Sequence, residues 1–317
     1  MEEGFNLRAV VIHEYGSTDQ LSEEEVPKPV ITDNQVLVEL YTTSINPIDW
    51  KVREGYLQER LPFEFPIILG WDAAGVIAET GDNVSGFTAG DKVFARPDTT
   101  EKGTYAEYTA VDKELLAKIP DNISFEEAAA TPLTGLTAWQ CLVDFSDIKR
   151  DDKVLIHAGS GGVGSFAIQI AKSFGAHVAS TASAKNEEFL KEMGVDQFID
   201  YQTEDFEQKL DDFDIVVDTM GGEIQEKSFN VLKEGGKLVS IAQPPDEETA
   251  ASKNAKAGFL WLEPDGQQLT RLGKLMEKGD VKAYIGKSFP FNEERIREAH
   301  QLSETHHAKG KIVINMK

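Results

Sequence analysis

Residues 153–175 read KVLIHAGSGGVGSFAIQIAKSFG, and this stretch decides the fold of the chain. It begins with a short apolar run at 154–156, which predicts a buried strand. The next residues, GSGGVG at 159–164, match the pattern G-x-G-x-x-G, and apolar residues then recur at helical spacing. The bare pattern also occurs in ordinary glycine-rich turns of α/β proteins. A strand before it and a helix after it favour a dinucleotide-binding site.

Each glycine of this turn has a predicted role. Gly159 permits a tight turn, Gly161 lets the backbone approach a pyrophosphate, and Gly164 lets the helix pack closely on the strand. The helix that starts near Gly162 and Val163 offers free N–H groups and the positive end of its dipole to the phosphates. These five residues are therefore predicted to bind the cofactor.

The end of the following strand predicts which dinucleotide is bound. A site that prefers NAD usually places an acid about 20 residues after the glycines, where it bonds the ribose 2′-hydroxyl. Residues 181–186 read TASAKN and contain no acid. The hydroxyl of Ser183 and the cation of Lys185 suit a 2′-phosphate, so the sequence predicts NADPH rather than NADH. A polar loop that does not contact the cofactor is the alternative.

Length, charge and cysteine content exclude several classes of protein. At 317 residues the chain is long enough for two domains. With 32 basic and 55 acidic residues the net charge is −23, which disfavours nucleic acid and anionic membranes as partners. The lack of a long apolar run and of a basic N-terminus predicts a cytoplasmic protein without a membrane partner. Cys141, the single cysteine, is predicted to be buried and structural.

The patterns of predicted strands and helices along the sequence indicate two kinds of architecture. Before residue 125, short strands separated by turns predict a compact, barrel-like β module. The sequence SFEE at 124–127 is a helix capping box and marks the expected start of a second domain. From 153 to about 262 strands alternate with helices, which predicts a doubly wound parallel sheet. The segment after 264 does not continue this alternation and is expected to complete the first module.

The chain resembles the zinc-independent quinone oxidoreductases of the medium-chain dehydrogenase/reductase superfamily, the zeta-crystallin-like proteins. Seven motifs carry the resemblance, and together they span nearly the whole chain in the expected order. They are INPIDWKVREG (45–55), ILGWDAAGVI (68–77), GTYAEY (103–108), TPLTGLTAWQ (131–140), AGSGGVG (158–164), IDY (199–201) and GKIVI (310–314).

The resemblance implies an α/β protein with two domains. A β-rich, GroES-like catalytic domain would comprise residues 1–124 and 263–317. A Rossmann domain that binds NADP, at 125–262, would be inserted between them, with the active cleft at their junction. The resemblance also implies a homodimer that uses NADPH to reduce a small quinone or α,β-unsaturated carbonyl.

The resemblance also assigns site residues. Contacts to the 2′-phosphate would fall on Ser183, Lys185 and Tyr201. Contacts to the nicotinamide half would fall near Asn46, Thr137 and the turn that contains Val163.

No metal site is predicted. The zinc alcohol dehydrogenases of this superfamily bind catalytic zinc through Cys and His, and a structural zinc through four cysteines. Here the catalytic cysteine position is Asn46, and the G-H-E motif reads Gly70-Trp71-Asp72. A single cysteine cannot build a four-cysteine site.

Without zinc, the nicotinamide supplies the hydride and the protein supplies orientation and electrostatics. Asn46 is predicted to position the nicotinamide ribose or the substrate carbonyl. Lys51 is predicted to donate the proton, because quinone oxidoreductases often carry a tyrosine there; a solvated surface cation, with solvent as the proton source, is the alternative. A redox sensor that binds NADPH without catalysis, and less favourably an alcohol dehydrogenase, are the other functions considered.

Overall fold

The structure of the protein is a computed structural model that describes residues 6–317. These residues form two compact units. The first unit consists of residues 6–133, 264–277 and 283–317, and the second of Thr134–Glu263 and Lys278–Lys282. None of the helices within 6–317 is long and apolar enough to cross a lipid bilayer.

The elements are numbered in chain order. The strands are β1 Asn6–Ile12, β2 Ser22–Pro27, β3 Gln35–Ile45, β4 Ile67–Ile68, β5 Ala73–Thr80, β6 Lys92–Ala95, β7 Tyr108–Asp112, β8 Leu116–Lys118, β9 Lys153–Ile156, β10 His177–Ala182, β11 Gln197–Asp200, β12 Phe213–Asp218, β13 Leu232–Ser240, β14 Lys256–Phe259, β15 Ile285–Pro290 and β16 Lys311–Asn315. The α-helices are α1 Pro47–Arg53, α2 Phe125–Ala129, α3 Pro132–Trp139, α4 Gly162–Ser173, α5 Glu187–Glu192, α6 Gly222–Ser228, α7 Glu247–Ser252, α8 Gly266–Lys278 and α9 Glu293–Glu304.

The first unit is rich in β-structure, as predicted. A three-stranded sheet has the order β2-β1-β4, and a larger sheet has the order β15-β16-β3-β5-β6-β8, with β7 also paired to β3. Strands β4 and β8 contain only two and three residues, which is too few for a periodic pattern to predict them.

The end of the chain returns to the first unit. Strand β16 pairs antiparallel with β3, with Ile312 opposite Ile45 and Ile314 opposite Thr43. This register brings Lys311 next to the residue that follows β3, Asn46. A strand near the C-terminus therefore lies beside the loop in which the sequence predicts catalytic residues.

Residues 125–133 pack with the first unit, whereas the predicted second domain began at 125. Ser124 and Glu127 form the predicted capping box at the start of α2. The Phe125 ring of this helix stacks on the Tyr41 ring of β3, with 4.5 Å between the ring centroids. The capping box at residues 124–127 marks the start of helix α2, and this helix covers the sheet of the first unit.

The second unit contains the predicted parallel sheet. Its six strands have the order β11-β10-β9-β12-β13-β14, and every neighbouring pair is parallel. The chain winds outward from β9 to β11 on one side and from β12 to β14 on the other. The direction reverses between β9 and β12, and ligands bind beyond the carboxyl ends of the strands at such a reversal.

We expect Gly75→Ala in β5 to destabilise the first unit. A Cβ at this position would lie 2.0 Å from the carbonyl oxygen of Glu39 in the paired strand β3. Only movement of one backbone relative to the other relieves this overlap, which we expect to lower the free energy of unfolding by about 1–3 kcal/mol. Urea unfolding followed by circular dichroism measures the change. Ala78→Ser, at an exposed position of the same strand, is the control and should unfold like the unaltered protein.

Candidate active site

The glycine turn lies between β9 and α4, as predicted, but the left-handed residue in it is not a glycine. Ala158 has a φ of 52°, so alanine holds the strained position of the turn. A Cβ on Gly159 would lie 2.1 Å from the Ser180 hydroxyl oxygen, because β10 passes close to the turn.

The other two glycines of the pattern differ in what surrounds them. A Cβ on Gly164 would lie 2.4 Å from the Ala158 carbonyl oxygen and 2.7 Å from the Gly159 Cα, so this glycine allows α4 to pack on the turn. A Cβ on Gly161 would meet only the Ala158 carbonyl oxygen, at 3.4 Å. Packing within residues 6–317 therefore does not explain Gly161. The close approach of a phosphate to this residue, at the N-terminus of a 12-residue helix, stays the prediction from the sequence.

The predicted 2′-phosphate residues follow the ends of two neighbouring strands. Ala182 of β10 is paired with Asp200 of β11, so Ser183 and Tyr201 are the next residues on each strand. The Tyr201 main-chain N–H donates to the Ala182 carbonyl at 3.3 Å, and its side chain is 54% exposed. Lys185 lies exposed in the turn that follows Ser183. Two hydroxyls and a cation thus stand at one edge of the sheet.

A residue without a predicted role connects this edge to the glycine turn. The Asn186 side-chain amide lies 3.2 Å from the Ser160 hydroxyl and 3.2 Å from the Ser183 hydroxyl. Asn186 therefore links the glycine turn to Ser183, one of the residues predicted to contact the 2′-phosphate. It was part of the quoted stretch TASAKN, but its spacing alone gave no reason to single it out.

A buried polar network supports the strand ends at the sheet reversal. Asp218, which ends β12, accepts hydrogen bonds from the Met220 and Gly221 N–H groups, both at 2.9 Å. Its other oxygen accepts from Gln225 at 3.0 Å and Ser240 at 2.7 Å. The carboxylate thereby holds the turn after β12, at the carboxyl end of the parallel sheet.

His157 follows β9 and is also buried. Its two ring nitrogens lie 3.1 Å from the Thr181 hydroxyl and 2.9 Å from the Ser228 hydroxyl. Burial lowers the pKa of His157 to about 4, although the charge of Asp218 opposes the shift. The imidazole is therefore neutral at physiological pH, and it links β10 to helix α6 without adding charge.

Two further residues lie on the segment that begins the second unit. Thr137, predicted to be near the nicotinamide, is buried in α3. Cys141 lies in the π-helical turn Gln140–Phe145 that follows. It is fully buried, and burial raises the pKa of its thiol well above the usual value, as expected for a structural cysteine.

In the first unit, Asn46 is held at three points in the interior. Its side-chain Nδ2 donates to the Asp72 carboxylate at 2.7 Å, its Oδ1 accepts from the Lys311 ammonium, and its main-chain N–H donates to Asp49 at 2.8 Å. Lysine has only donors and a carboxylate has only acceptors, so these partners fix which way the carboxamide points. The second N–H of Nδ2 has no partner within residues 6–317, which leaves one oriented donor.

Lys311 and Asp72 compensate each other's charge. The ammonium donates to the Ile45 carbonyl at 3.0 Å and lies 3.7 Å from the Asp72 carboxylate. The carboxylate also accepts from Ser44 at 2.6 Å and from the Leu133 N–H at 2.8 Å. Burial lowers the pKa of Lys311, while Asp72 and Asp49 raise it. The pair therefore fixes the Asn46 carboxamide between a cation and an anion.

Lys51 does not join this cluster. It is exposed, and its Nζ lies 5.6 Å from the centroid of the Trp50 ring. Asp49 lies two positions earlier in α1 and is fully buried. Residues two apart in an α-helix are separated by about 200° around its axis. The helix therefore turns Asp49 toward Asn46 and Lys51 toward solvent.

A chain of buried side chains continues from Asp49. The Tyr105 hydroxyl lies 2.8 Å from the Asp49 carboxylate and 3.0 Å from His300 Nε2. His300 Nδ1 lies 2.9 Å from the Arg53 guanidinium, which also contacts Glu304 at 2.6 Å. Burial, with a smaller contribution from Arg53, lowers the pKa of His300 to about 3, so this imidazole is neutral.

The residues at the expected zinc position are a poor set of zinc ligands. Asn46 and Asp72 bond each other, and the Trp71 indole N–H donates to the Thr100 carbonyl at 3.0 Å. Within 6–317, no three or more His, Cys, Asp and Glu side chains are grouped so that they could hold a metal ion. The cluster presents a carboxamide N–H where zinc would need thiolate or imidazole.

The fold and the strand-end site define a nicotinamide-nucleotide oxidoreductase with a GroES-like part and a Rossmann part. Residues 32–121 match the alcohol dehydrogenase GroES-like domain, and residues 193–314 match a family described as zinc-binding dehydrogenase.

Curated and solved relatives narrow this class. The chain is 38% identical to 2-methylene-furan-3-one reductase of Solanum lycopersicum, over 98% of this chain and 79% of the relative. It is 35% identical to the NADPH-dependent alkenal/one oxidoreductase of Arabidopsis thaliana, over 97% of this chain and 79% of the relative. The quinone oxidoreductase of Coxiella burnetii is 34% identical and superposes with a TM-score of 0.92, covering 99% of this chain and all of the other.

The chain belongs to the quinone oxidoreductase branch of the medium-chain dehydrogenase/reductase superfamily. This confirms the predicted family and fold class.

The sequence reasoning missed most of the network around Asn46. One local signal was available, because Asn46 followed three residues later by Asp49 has the spacing of an N-cap and its partner acid. Tyr105, His300 and Lys311 are far away in the sequence, and no pattern within any single segment connects them to Asn46.

We expect substitutions at two glycines of the turn to have different effects, one on stability and the other on cofactor binding. Gly164→Ala forces a Cβ onto backbone atoms, so the free energy of unfolding should fall by about 1–3 kcal/mol. Gly161→Ala is accommodated by the protein but obstructs the phosphate, so stability should stay within about 0.5 kcal/mol. NADPH affinity of this variant should fall at least tenfold. Thermal unfolding and NADPH fluorescence titration measure the two effects. Equal NADPH affinity in Gly161→Ala and the unaltered protein would contradict this placement of the phosphate.

Proposed function

We propose that the protein is an NADPH-dependent reductase that transfers a hydride to a quinone or an α,β-unsaturated carbonyl. The observation that carries the proposal is the dinucleotide turn at 159–164 together with Ser183, Lys185 and Tyr201 at the adjacent strand ends. Two hydroxyls and a cation stand where an NAD site has a carboxylate. The relatives named as alkenal/one and quinone oxidoreductases support the substrate class.

The cofactor, when bound, supplies the hydride. The chain supplies an oriented donor through Asn46, whose second Nδ2 N–H points away from Asp72 and Lys311. We assign this N–H to the substrate carbonyl oxygen, where negative charge develops as the hydride arrives. A pre-oriented donor at such an oxygen stabilises the transition state more than the ground state.

The reaction proposed here needs no zinc. A quinone or conjugated enone already has an electrophilic carbon, so hydride can add without a Lewis acid. The Lys311 ammonium gives the Asn46 carboxamide a positive neighbour, which polarises its N–H toward the substrate oxygen. Lys51, predicted from the sequence as proton donor, lies on the exposed side of α1, and a buried acid of the same helix is considered below.

For the assembly, we keep the homodimer that the family resemblance implies as a proposal. Strand β14, Lys256–Phe259, is the last strand of the six-stranded sheet, and we propose that a second copy of the chain covers it in a homodimer. An unpaired strand edge otherwise exposes free backbone groups. A cytoplasmic location stays a prediction, since relatives include chloroplastic and mitochondrial proteins.

We expect NADPH-dependent turnover that survives a metal chelator. Purified protein is mixed with NADPH and a panel of benzoquinone, phenanthrenequinone, an alkenal and an alkenone, with NADH in parallel, and loss of the reduced nicotinamide absorbance is followed. Oxidation should be faster with NADPH and equal with and without chelator. Tight NADPH binding without oxidation by any acceptor would instead support the redox sensor. Activity lost on chelation and restored by zinc would contradict the metal-free mechanism.

Lys185→Ala should weaken NADPH selectively. Removing a charged partner of the 2′-phosphate costs about 1.5 kcal/mol, so KM for NADPH should rise about tenfold while KM for NADH stays unchanged. Lys191→Ala is the matched control, because this exposed lysine of the next helix pairs with Glu187 instead. Equal effects on NADPH and NADH would show that Lys185 does not read the 2′-phosphate.

A further inference from the structure

The two oxygens of the buried Asp49 carboxyl are not equivalent. Oδ2 accepts hydrogen bonds from the Asn46 main-chain N–H and the Tyr105 hydroxyl, both at 2.8 Å. Oδ1 is shielded from solvent and has no hydrogen-bond partner in the part of the chain that the structure describes. A buried carboxyl oxygen without a partner is costly, so Oδ1 requires a proton, a water molecule or a ligand that it can bond.

The direction of every hydrogen bond leading to Asp49 is fixed by Arg53. A guanidinium only donates, so His300 Nδ1 must accept from it, and the His300 proton must reside on Nε2. Nε2 then donates to the Tyr105 oxygen, and the Tyr105 hydroxyl donates to Asp49. With two donors already on Oδ2, a proton taken up by Asp49 resides on Oδ1.

The same chain cannot carry protons from the protein surface. Glu304 is partly exposed, but the next member is Arg53, and a guanidinium does not release its proton in proteins. The chain therefore stabilises the Asp49 carboxyl and fixes its orientation. A proton leaves or reaches Asp49 only through Oδ1.

Charges of both signs surround Asp49, and their balance leaves the carboxyl able to titrate. Burial raises the pKa of Asp49 to about 7, and Asp72 adds to the rise, whereas the bonds from Asn46 and Tyr105 and the charge of Lys311 oppose it. The titratable or charged groups around it are Asp72, Arg96, Tyr105, His300, Arg53 and Lys311. At neutral pH both protonation states are populated, as a general acid requires.

We propose that Asp49 is the catalytic acid of the reductase and that its Oδ1 proton neutralises the substrate anion formed by hydride transfer. This inference rests on the proposed reductase function. After the hydride and its electron pair have reached the substrate carbon, the substrate oxygen carries a negative charge. The O–H bond of Asp49 breaks, a new O–H bond forms on the enol of the reduced substrate, and the carboxylate remains; for a quinone, this enol then tautomerises to the hydroquinone by moving its new C–H proton to the second oxygen. Water that enters the site as the product leaves then returns a proton to Oδ1 before the next turnover.

Asp49 is better placed for this role than Lys51. Asp49 is bonded directly to Asn46, the residue assigned to the substrate oxygen, and it is shielded from solvent. The Lys51 ammonium lies on the opposite, exposed side of the same helix. Tyr105 is a positioning residue in this scheme, because it acts on the substrate only through Asp49.

The central experiment compares the unaltered enzyme with Asp49→Asn. Asparagine has the same shape and can still accept both hydrogen bonds on its side-chain oxygen, but it has no acidic proton. We measure kcat at saturating NADPH and acceptor from about pH 5 to about pH 9, because kcat reports groups in the bound complex. At saturation the NADPH is bound, so titration of the free 2′-phosphate near pH 6 does not contribute to the pH profile.

For the unaltered enzyme, kcat should fall as pH rises through about 7, since the protonated form of Asp49 is the active one. In Asp49→Asn, kcat at low pH should fall by about 10²-fold or more, and the decline through pH 7 should disappear. NADPH affinity, measured by fluorescence titration, should stay within about twofold. Asp121→Asn, which removes an exposed carboxylate of the same unit, should leave the profile unchanged.

Tyr105→Phe tests the same inference without removing the acid. The Tyr105 hydroxyl stabilises the charged form of Asp49, so its loss raises the Asp49 pKa, and the decline in kcat should move to higher pH. Tyr41→Phe, which removes a phenol elsewhere in the first unit, is the matched control. Carbon-13 NMR of labelled aspartate gives a readout independent of turnover. One carboxyl should titrate near pH 7 in the unaltered protein, at higher pH in Tyr105→Phe, and be absent in Asp49→Asn.

Each outcome decides between specific alternatives. If Asp49→Asn keeps kcat within about threefold and retains the decline through pH 7, Asp49 is not the acid. If Lys51→Met instead abolishes turnover, the lysine is the donor. If the carboxyl titrates as expected but none of the acceptors supports NADPH oxidation by the unaltered enzyme, the reductase assignment fails. The catalytic role of Asp49 then fails with it. A decline that stays in place or moves to lower pH in Tyr105→Phe also overturns the inference.

Discussion

The buried ammonium of Lys311 is the constraint on which the arrangement of the first unit depends. A charge removed from water needs close partners, and this one has the Asp72 carboxylate, the Ile45 carbonyl and the Asn46 carboxamide. Ile45 and Asn46 lie at the end of β3 and Asp72 lies just before β5, whereas Lys311 begins β16, so these contacts form only when β16 is paired with β3. One ion pair thus joins the last strand to the loop that holds the candidate catalytic asparagine.

Charged side chains in the interior of the first unit fix the directions of the hydrogen bonds around them. Arg53 can only donate, and this single fact fixes the proton positions on His300 and Tyr105 and leaves Oδ1 as the protonation site of Asp49. Lys311 and Asp72 act in the same way on Asn46, since one accepts nothing and the other donates nothing. A partner that can only donate or only accept fixes which way an amide points and which imidazole nitrogen carries the proton. The site is therefore oriented before any ligand arrives, which is what electrostatic stabilisation of a transition state requires.

The second unit solves a different problem, the approach of a polyanion to the backbone. Its polar side chains hold turns at the carboxyl ends of the strands. Asp218 accepts hydrogen bonds from the N–H groups that follow β12. Asn186 links the hydroxyls of Ser160 and Ser183. Cationic side chains are absent from the described contacts of the glycine turn, where the helix N-terminus attracts phosphate instead. Lys185 lies where the proposed site would bind the 2′-phosphate that distinguishes NADPH from NADH.

The sequence by itself determined the dinucleotide turn, the parallel sheet, the family and the lack of zinc-binding residue types at Asn46 and Trp71. These depend on patterns within short segments, because strands and helices bury their apolar faces with fixed periods. Only the folded chain shows that Ala158 adopts the left-handed conformation in the glycine turn, and that 125–133 covers the first unit. Tertiary structure also decided which acid lies beside Asn46, because burial and hydrogen bonds from Tyr105, His300 and Lys311 come from segments far apart in the chain. Such contacts leave no periodic trace in the sequence, and they alone set the charge and orientation of each group in the site.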